Sequence, residues 1–341
     1  MKIAVVGVTG IVGEMILRVL DERAVAIDEL GAFASRERSE PLLYREREWP
    51  IRRATAQALA AGGYDAVFFA SSDDASAELA EGCAANGAVV IDNSATFRLA
   101  ADVPLIVPEV NPAAARAGDR IFPVANCTAI VLCVALAPVA RIAGLRSVRV
   151  ATYQAVSGAG KAGLEALADE ERQPPGKALP PTPFAAPIFR NVIPLVGSTF
   201  DARGDSGEET KVVAETRKML GLPQLHIAAT TVRVPVRYAH SEAAFIETER
   251  DTTVVELADA FASAPGLVFH RTGIVTPRDV EGQDLVHVAR LRAEDGSQRH
   301  FQLWIVGDQV RKGAATNAVQ ILELLLARGY VGGARSRVAS A

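Results

Sequence analysis

Residues 2–20, KIAVVGVTGIVGEMILRVL, decide the fold. Lys2–Val6 is a short apolar run rich in β-branched residues, as a strand prefers. Gly7, Gly10 and Gly13 follow. Val12, Ile16 and Leu20 then recur on one helical face, with Ile11, Met15 and Val19 beside them. Strand, glycine turn and amphipathic helix in that order open a dinucleotide-binding unit. The spacing departs from the G-x-G-x-x-G fingerprint, but the physics is similar. Glycine permits a tight turn and close backbone approach, and the helix N-terminus offers free N–H groups to a diphosphate.

The pattern continues outward. IDELGAFAS, YDAVFFAS, GAVVIDNS, LIVPEV and IFPVANC read as further apolar strands, with a helical stretch from Asp73 to Asn86 between two of them. Apolar strands alternating with helices indicate a parallel sheet covered on both faces. After about residue 145 the strands lengthen and several alternate, as in an antiparallel sheet: SVRVATYQAV, HIAATTVRVPVR, EAAFIET, LVHVARLRA and RHFQLWIVGD. Helices are expected over Lys161–Glu171, Glu208–Leu220 and Val254–Ala264. The proline-dense RQPPGKALPPTPFAAP reads as an ordered surface excursion or as a linker. NAVQILELLLARG reads as a last helix ending at Gly329, before a frayed tail. The expected class is α/β: a Rossmann-like domain over 1–127, joined by the helix at about 314–329. An α+β domain with a mainly antiparallel sheet fills 128–313, and 330–341 is a tail.

Composition narrows the function. The 341 residues carry a formal net charge of -4, which leaves no basic footprint for nucleic acid. Arg45, Arg47, Arg52 and Arg53 cluster, but Glu46 and Glu48 interrupt them, so the stretch reads as solvated. Cys83, Cys127 and Cys133 fit neither a disulfide framework nor a zinc site. No metal is expected. No window is apolar enough to span a membrane, so a cytoplasmic protein is expected.

The second strand ends FASRERSE. Ser35, Arg36, Arg38 and Ser39 are donors there, and Glu37 is the one acid within the cluster. NAD sites place an acid at this strand end, whereas NADP sites use a cation for the 2′-phosphate, so NADP is favoured. Cys127, in VANCTAIVL, reads either as a buried filler or as a nucleophile. Of the five histidines, only His240 lies in a stretch with other chemical signals, downstream of Arg233 in VRVPVRYAHSE. Arg233 among valines wants a carboxylate or phosphate partner, or an internal ion pair. In TYQAVSGAGKAGLEAL, Gln154 can offer an amide, and Ser157 and Gly158 could approach a cofactor.

These stretches together resemble the bacterial aspartate-semialdehyde dehydrogenase family over nearly the whole chain. GVTGIVG, DNSATFR, ANCTAI, YQAVSGAG, NVIPLVG, EETKVVAETRKML, VRVPVRYAHSE and ATNAVQI are similar to its motifs, in order and approximate spacing. The resemblance implies that Cys127 is the nucleophile carrying the acyl group as a thioester, His240 the general acid/base, and Gln154 an orienting group. It implies Arg233 on the substrate α-carboxylate, Glu208 on its amino group, and Arg98, Asn126 and Lys211 around phosphate. Gly7, Thr9, Gly10, Ile11, Val12, Arg38, Ser39, Ser157, Gly158 and Asn317 would contact NADP. Whether Arg36 or Arg38 meets the 2′-phosphate stays open, because ASRERS is one residue longer than the usual A-S-x-R-S. Ala125, Thr128 and Ala129 also depart from the commonest pattern. The implied reaction is NADPH-dependent reductive dephosphorylation of L-4-aspartyl phosphate to L-aspartate 4-semialdehyde. It serves lysine, threonine, methionine, isoleucine and diaminopimelate biosynthesis, in a homodimer with small-molecule substrates. The alternatives are an N-acetyl-γ-glutamyl-phosphate reductase and a non-catalytic dinucleotide-binding paralogue.

Overall fold

The computed structural model describes residues 1–174, 181–197 and 200–331. The chain divides into two compact units. Met1–Ala125 and the segment from Ala314 form one, and Asn126–Gly313 the other.

The first unit begins with β1 (Lys2–Val6), α1 (Ile11–Glu22), β2 (Glu29–Ala34), β3 (Leu42–Tyr44), β4 (Arg47–Trp49) and β5 (Ile51–Arg53). It continues with α2 (Ala56–Gly62), β6 (Ala66–Phe69), α3 (Asp73–Ala85), β7 (Val89–Asp92) and β8 (Ile121–Pro123). Six strands form a parallel sheet in the order β5-β2-β1-β6-β7-β8. Residues 3–6, 66–69 and 89–92 are buried throughout, which is why they read as unbroken apolar runs. The chain winds one way from β1 to β2 and the other way from β1 to β6, so a topological switch point lies beside β1. Gly7 has φ +90, and a Cβ there would lie 2.1 Å from the Ala70 carbonyl oxygen. A Cβ on Gly13 would lie 2.2 Å from the Gly7 oxygen. Both positions therefore demand glycine.

One strand expectation fails in this unit. LIVPEV is not a strand. The Val107 N–H donates to Asn111 Oδ1 at 2.9 Å, and Asn111 Nδ2 donates to the Leu105 carbonyl at 2.9 Å. One side chain thus takes the bonds that a strand neighbour would make. The arginine cluster at 45–53 is exposed, as expected, and its residues belong to the β3–β4 hairpin and edge strand β5. Arg45 and Glu46 turn the hairpin with φ of 50 and 60, and Arg45 Nε pairs with Asp21 at 2.7 Å.

The second unit contains α4 (Cys127–Ala143), β9 (Ser147–Gln154), α5 (Gly160–Arg172), α6 (Gly207–Leu220), β10 (His226–Arg233) and β11 (His240–Glu247). α7 (Val254–Ala262), β12 (Leu267–Phe269), α8 (Pro277–Val280), β13 (Val286–Ala293) and β14 (His300–Gly307) follow. A π-helical turn, Arg311–Ala315, leads into α9 (Thr316–Ala327), which returns to the first unit. The sheet order is β10-β9-β11-β14-β13-β12. The sheet is mixed: β9–β11, β11–β14 and β13–β14 are antiparallel, and β9–β10 and β12–β13 parallel. Val148, Val150, Thr152 and Gln154 of β9 are buried with His240, Glu242, Ala244 and Ile246 of β11, while Tyr153 and Phe245 are exposed.

Helix α4 was not legible as a helix. Every residue from Thr128 to Val139 is buried, so no polar face marks its period. Of the proline-dense stretch, 175–180 lies outside the described residues, as does the tail from 332. No described helix is long and apolar enough to cross a membrane.

Candidate active site

Cys127 is the first residue of α4, and Asn126 is its N-cap. Asn126 Oδ1 accepts from the Thr128 and Ala129 N–H groups at 3.0 and 3.1 Å. Removing such a cap costs about 0.5–2 kcal/mol. The helix N-terminus favours negative charge on the sulfur it carries. Cys127 is part-exposed, whereas Cys83 and Cys133 are buried. Burial pushes the Cys83 thiol up to about 11 and raises Cys133 further. Of the three cysteines, Cys127 alone joins partial exposure to a helix N-terminus.

His240 opens β11 and is fully buried. Its Nε2 lies 3.5 Å from Cys127 Sγ. Its Nδ1 accepts from the Ala155 backbone N–H at 3.1 Å. A neutral ring that accepts at Nδ1 carries its proton on Nε2, directed at the sulfur. Burial, and then the charge of Arg233, hold the imidazole well below its ordinary 6.5. His240 is therefore a neutral donor at pH 7.

Arg233 ends β10, in register with Gln154 on the parallel neighbour β9. Its side chain is buried, and Nη1 donates to the Ala155 carbonyl at 2.6 Å. Its Nε is buried without a hydrogen-bond partner. Burial lowers its pKa, while charge on Cys127 and Glu208 works the other way. Such a guanidinium calls for a bound anion. Gly158 makes room for it: a Cβ there would lie 2.8 Å from Arg233 Nη1 and 3.4 Å from His240 Cε1.

Glu208 and Glu209 are adjacent on α6 and do different work. Glu209 closes a capping box with Ser206 and accepts from the Thr231 N–H at 2.8 Å. Glu208 Oε1 accepts from Asn126 Nδ2 at 2.9 Å and from Gln154 Nε2 at 3.1 Å. Gln154 Oε1 is fixed in turn by the Thr152 hydroxyl at 3.0 Å. Lys211 follows Glu208 by one helical turn and shares its face. The second unit thus brings together Cys127, His240, Gln154, Arg233, Glu208, Asn126 and Gly158. Ser157 lies beside them, buried, its hydroxyl bonded to the Arg237 carbonyl and to Gln309 Nε2.

Gln309 and Gly313 escaped the sequence reading. A Cβ on Gly313 would lie 2.8 Å from Cys127 Cβ. A glycine in a π-helical turn is a signal of function, but a π turn cannot be read from residue spacing.

The first unit holds the remaining site residues. The Gly7 and Val8 N–H groups donate to the Phe33 carbonyl, and α1 has no side-chain cap. Its first N–H groups are therefore suited to an anion. A cavity of about 510 Å³ opens beside this turn, lined by Gly7, Thr9, Gly10, Ser35, Arg53 and Thr55 among others. The glycine turn, the uncapped helix and the cavity at the switch point fit the adenosine half of a dinucleotide. Ile11 and Val12 open α1, while Arg36, Arg38 and Ser39 are exposed beyond β2. Asn317 is buried and donates to the Ile106 carbonyl at 3.1 Å, and Arg98 donates to the Asn93 carbonyl at 2.8 Å. Among the described residues no group of three or more His, Cys, Asp and Glu side chains could hold a metal ion.

A parallel sheet of nucleotide-binding type in one unit and a cysteine–histidine pair in the other define a class, the semialdehyde dehydrogenases. The NAD binding domain of that class matches residues 2–117, and its dimerisation domain matches 136–312. Among curated proteins, aspartate-semialdehyde dehydrogenase of Aquifex aeolicus is 38% identical, covering 97% of this chain and 99% of that protein. Aspartate-semialdehyde dehydrogenase 2 of Vibrio cholerae is 40% identical, covering 95% and 97%. The crystal structure of aspartate semialdehyde dehydrogenase II from Vibrio cholerae superposes with a TM-score of 0.90 at 37% identity, covering 95% of this chain and 98% of that one. The chain belongs to the aspartate-semialdehyde dehydrogenase family.

Proposed function

We propose that the chain catalyses the reversible, NADP-dependent and phosphorylating conversion of L-aspartate 4-semialdehyde to L-4-aspartyl phosphate. The Arg233 guanidinium carries this reading: it is buried, with one nitrogen anchored and Nε unpartnered, in the cluster that holds Cys127 and His240. A substrate with a carboxylate at one end and a reactive carbonyl at the other answers that arrangement. Related proteins support it: one Vibrio cholerae structure, 38% identical, is complexed with ASA. A Candida albicans structure with NADP shares the fold, at 20% identity and a TM-score of 0.74.

In the biosynthetic direction the Cys127 thiolate attacks the acyl phosphate. A C–S bond forms, the C–O bond to phosphate breaks, and phosphate leaves with the electron pair. NADPH, when bound, supplies the hydride that takes the resulting thioester to the aldehyde level. His240 Nε2–H can then hydrogen-bond the oxygen that gains charge and, as the C=O bond re-forms and the C–S bond breaks, the departing sulfur. Its proton stays on nitrogen, so that sulfur leaves as the thiolate. The thiolate spent in the first step returns in the last. Arg233 would hold the α-carboxylate, Glu208 the amino group, and Gln154 the carbonyl orientation. Asn126, Lys211 and Arg98 would serve phosphate. Ser157, Gly158, Asn317, Arg38, Ser39 and the glycine turn would serve the cofactor. We take the working form to be a homodimer in the cytoplasm, where its free thiols stay reduced.

The test is NADPH formation from an aldehyde in the presence of phosphate. Turnover with aspartate semialdehyde and little with N-acetylglutamate semialdehyde is expected. The opposite preference overturns the substrate, and inactivity with both favours a non-catalytic paralogue.

A further inference from the structure

Arg53 ends β5 and stands beside Ala34, the last residue of β2, in the parallel ladder. The Ala54 N–H donates to the Ala34 carbonyl at 2.9 Å and fixes that approach. Its neighbour Arg52 is committed elsewhere: its guanidinium lies over the Phe33 ring at 4.7 Å and donates to the Tyr64 hydroxyl at 2.8 Å. Strand alternation turns Arg53 to the other side, where it lines the cavity with Ser35 and Thr55. No side-chain hydrogen bond or ion pair of Arg53 exists among the described residues.

The group that distinguishes NADP from NAD works at the carboxyl end of the second strand. Arg36 and Arg38 were expected there. The Arg38 N–H instead donates to the Ile51 carbonyl at 3.2 Å, so its backbone lies beside the start of β5. That is two residues back from Arg53, at about 3.3 Å per residue. Neither Arg36 nor Arg38 lines the cavity. Glu78 of α3 lines it too, an exposed side chain that forms no ion pair with Arg53 among the described residues.

We infer that Arg53, from a strand outside the expected motif, is the guanidinium that binds the 2′-phosphate of NADP and sets the cofactor preference. Ser35 is placed to add a hydroxyl to the same phosphate. The inference rests on the NADP-linked reading above and deepens it. A free guanidinium on the cavity wall can form two charge-assisted bonds to a phosphate dianion, and none of them with the 2′-hydroxyl of NAD.

The experiment is isothermal titration calorimetry of the full chain with NADP⁺, NAD⁺, 2′,5′-ADP and 5′-AMP. Arg53→Gln should lose roughly ten- to hundred-fold in affinity for NADP⁺ and 2′,5′-ADP. Its affinity for NAD⁺ and 5′-AMP should hold within about two-fold, which also shows that the cavity is intact. Arg53→Lys, which keeps the charge, should fall between wild type and Arg53→Gln. An unchanged NADP⁺-to-NAD⁺ ratio in Arg53→Gln overturns the inference, and a loss confined to Arg38→Ala returns the role to the longer loop. A wild-type protein that binds NAD⁺ as tightly as NADP⁺ sinks the NADP reading and this one with it.

Discussion

The Ala155 N–H and His240 Nδ1 are 3.1 Å apart, and this single bond fixes which ring nitrogen of His240 carries its proton. Protonating Nδ1 would set two donors against each other. The pairing therefore works against imidazolium in the resting site and keeps Nε2–H aimed at Cys127.

The pH behaviour follows. The pKa of His240 is lowered by burial and by Arg233, so kcat/KM should show no histidine step near 6.5. Stability has the matching sign. Below about pH 6.5 the unfolded chain takes up a proton that the native ring refuses, and stability is lost by up to about 1.4 kcal/mol per pH unit. His240→Gln should flatten this part of the urea-midpoint profile between about pH 6.5 and 5. A wild-type slope retained in that variant would falsify the assignment.

Gly158→Ala should act on substrate holding rather than on the fold. The new Cβ would press on Arg233 Nη1 at 2.8 Å. We expect KM for the aldehyde to rise about ten-fold or more, with little change in Tm. Normal kinetics would mean that Arg233 does not meet substrate.

Thiol reactivity should be confined to one residue. Iodoacetamide on the native protein, read by peptide mass spectrometry, should label Cys127 and leave Cys83 and Cys133, whose thiols burial raises. Cys127→Ala should abolish turnover but leave NADP⁺ binding, while Cys133→Ala should stay active. Gly313→Ala, whose Cβ would lie 2.8 Å from that of Cys127, should slow both labelling and turnover. An active Cys127→Ala would show that another sulfur does the chemistry.

Glu242 is buried on β11 with neither carboxylate oxygen hydrogen-bonded, and burial raises its pKa well above 4.5. The native side chain stays protonated while the unfolded one ionises. Stability is therefore lost as pH rises from about 4.5, again by up to about 1.4 kcal/mol per unit. Glu242→Gln is neutral throughout and should gain on wild type in urea melts as pH climbs from about 5 to 8. Parallel curves for the two proteins would mean that Glu242 ionises in the fold.

The opening strand and turn were legible because Gly7 and Gly13 have sterically forced identities. The cysteine and histidine were legible only through their company, since neither residue alone reveals a 3.5 Å contact between positions 113 apart. Helix α4 was hidden by burial on all sides. LIVPEV misled because an asparagine side chain replaces a strand neighbour. Arg53 is exposed, as its charge-rich stretch implies, but its place beside Ala34 rests on a strand pairing that residue spacing does not encode.

The same burial that hid α4 governs how the catalyst fails. Cys127 sits at the tip of a rod whose next three turns are sealed among other helices and strands, against α6, α7, β13 and β14. The sulfur has no soft mounting on which to drift while the rest of the unit stays intact. Loss of activity on heating and loss of the second unit's core are then one event rather than two, and the assay doubles as a melting probe for that unit.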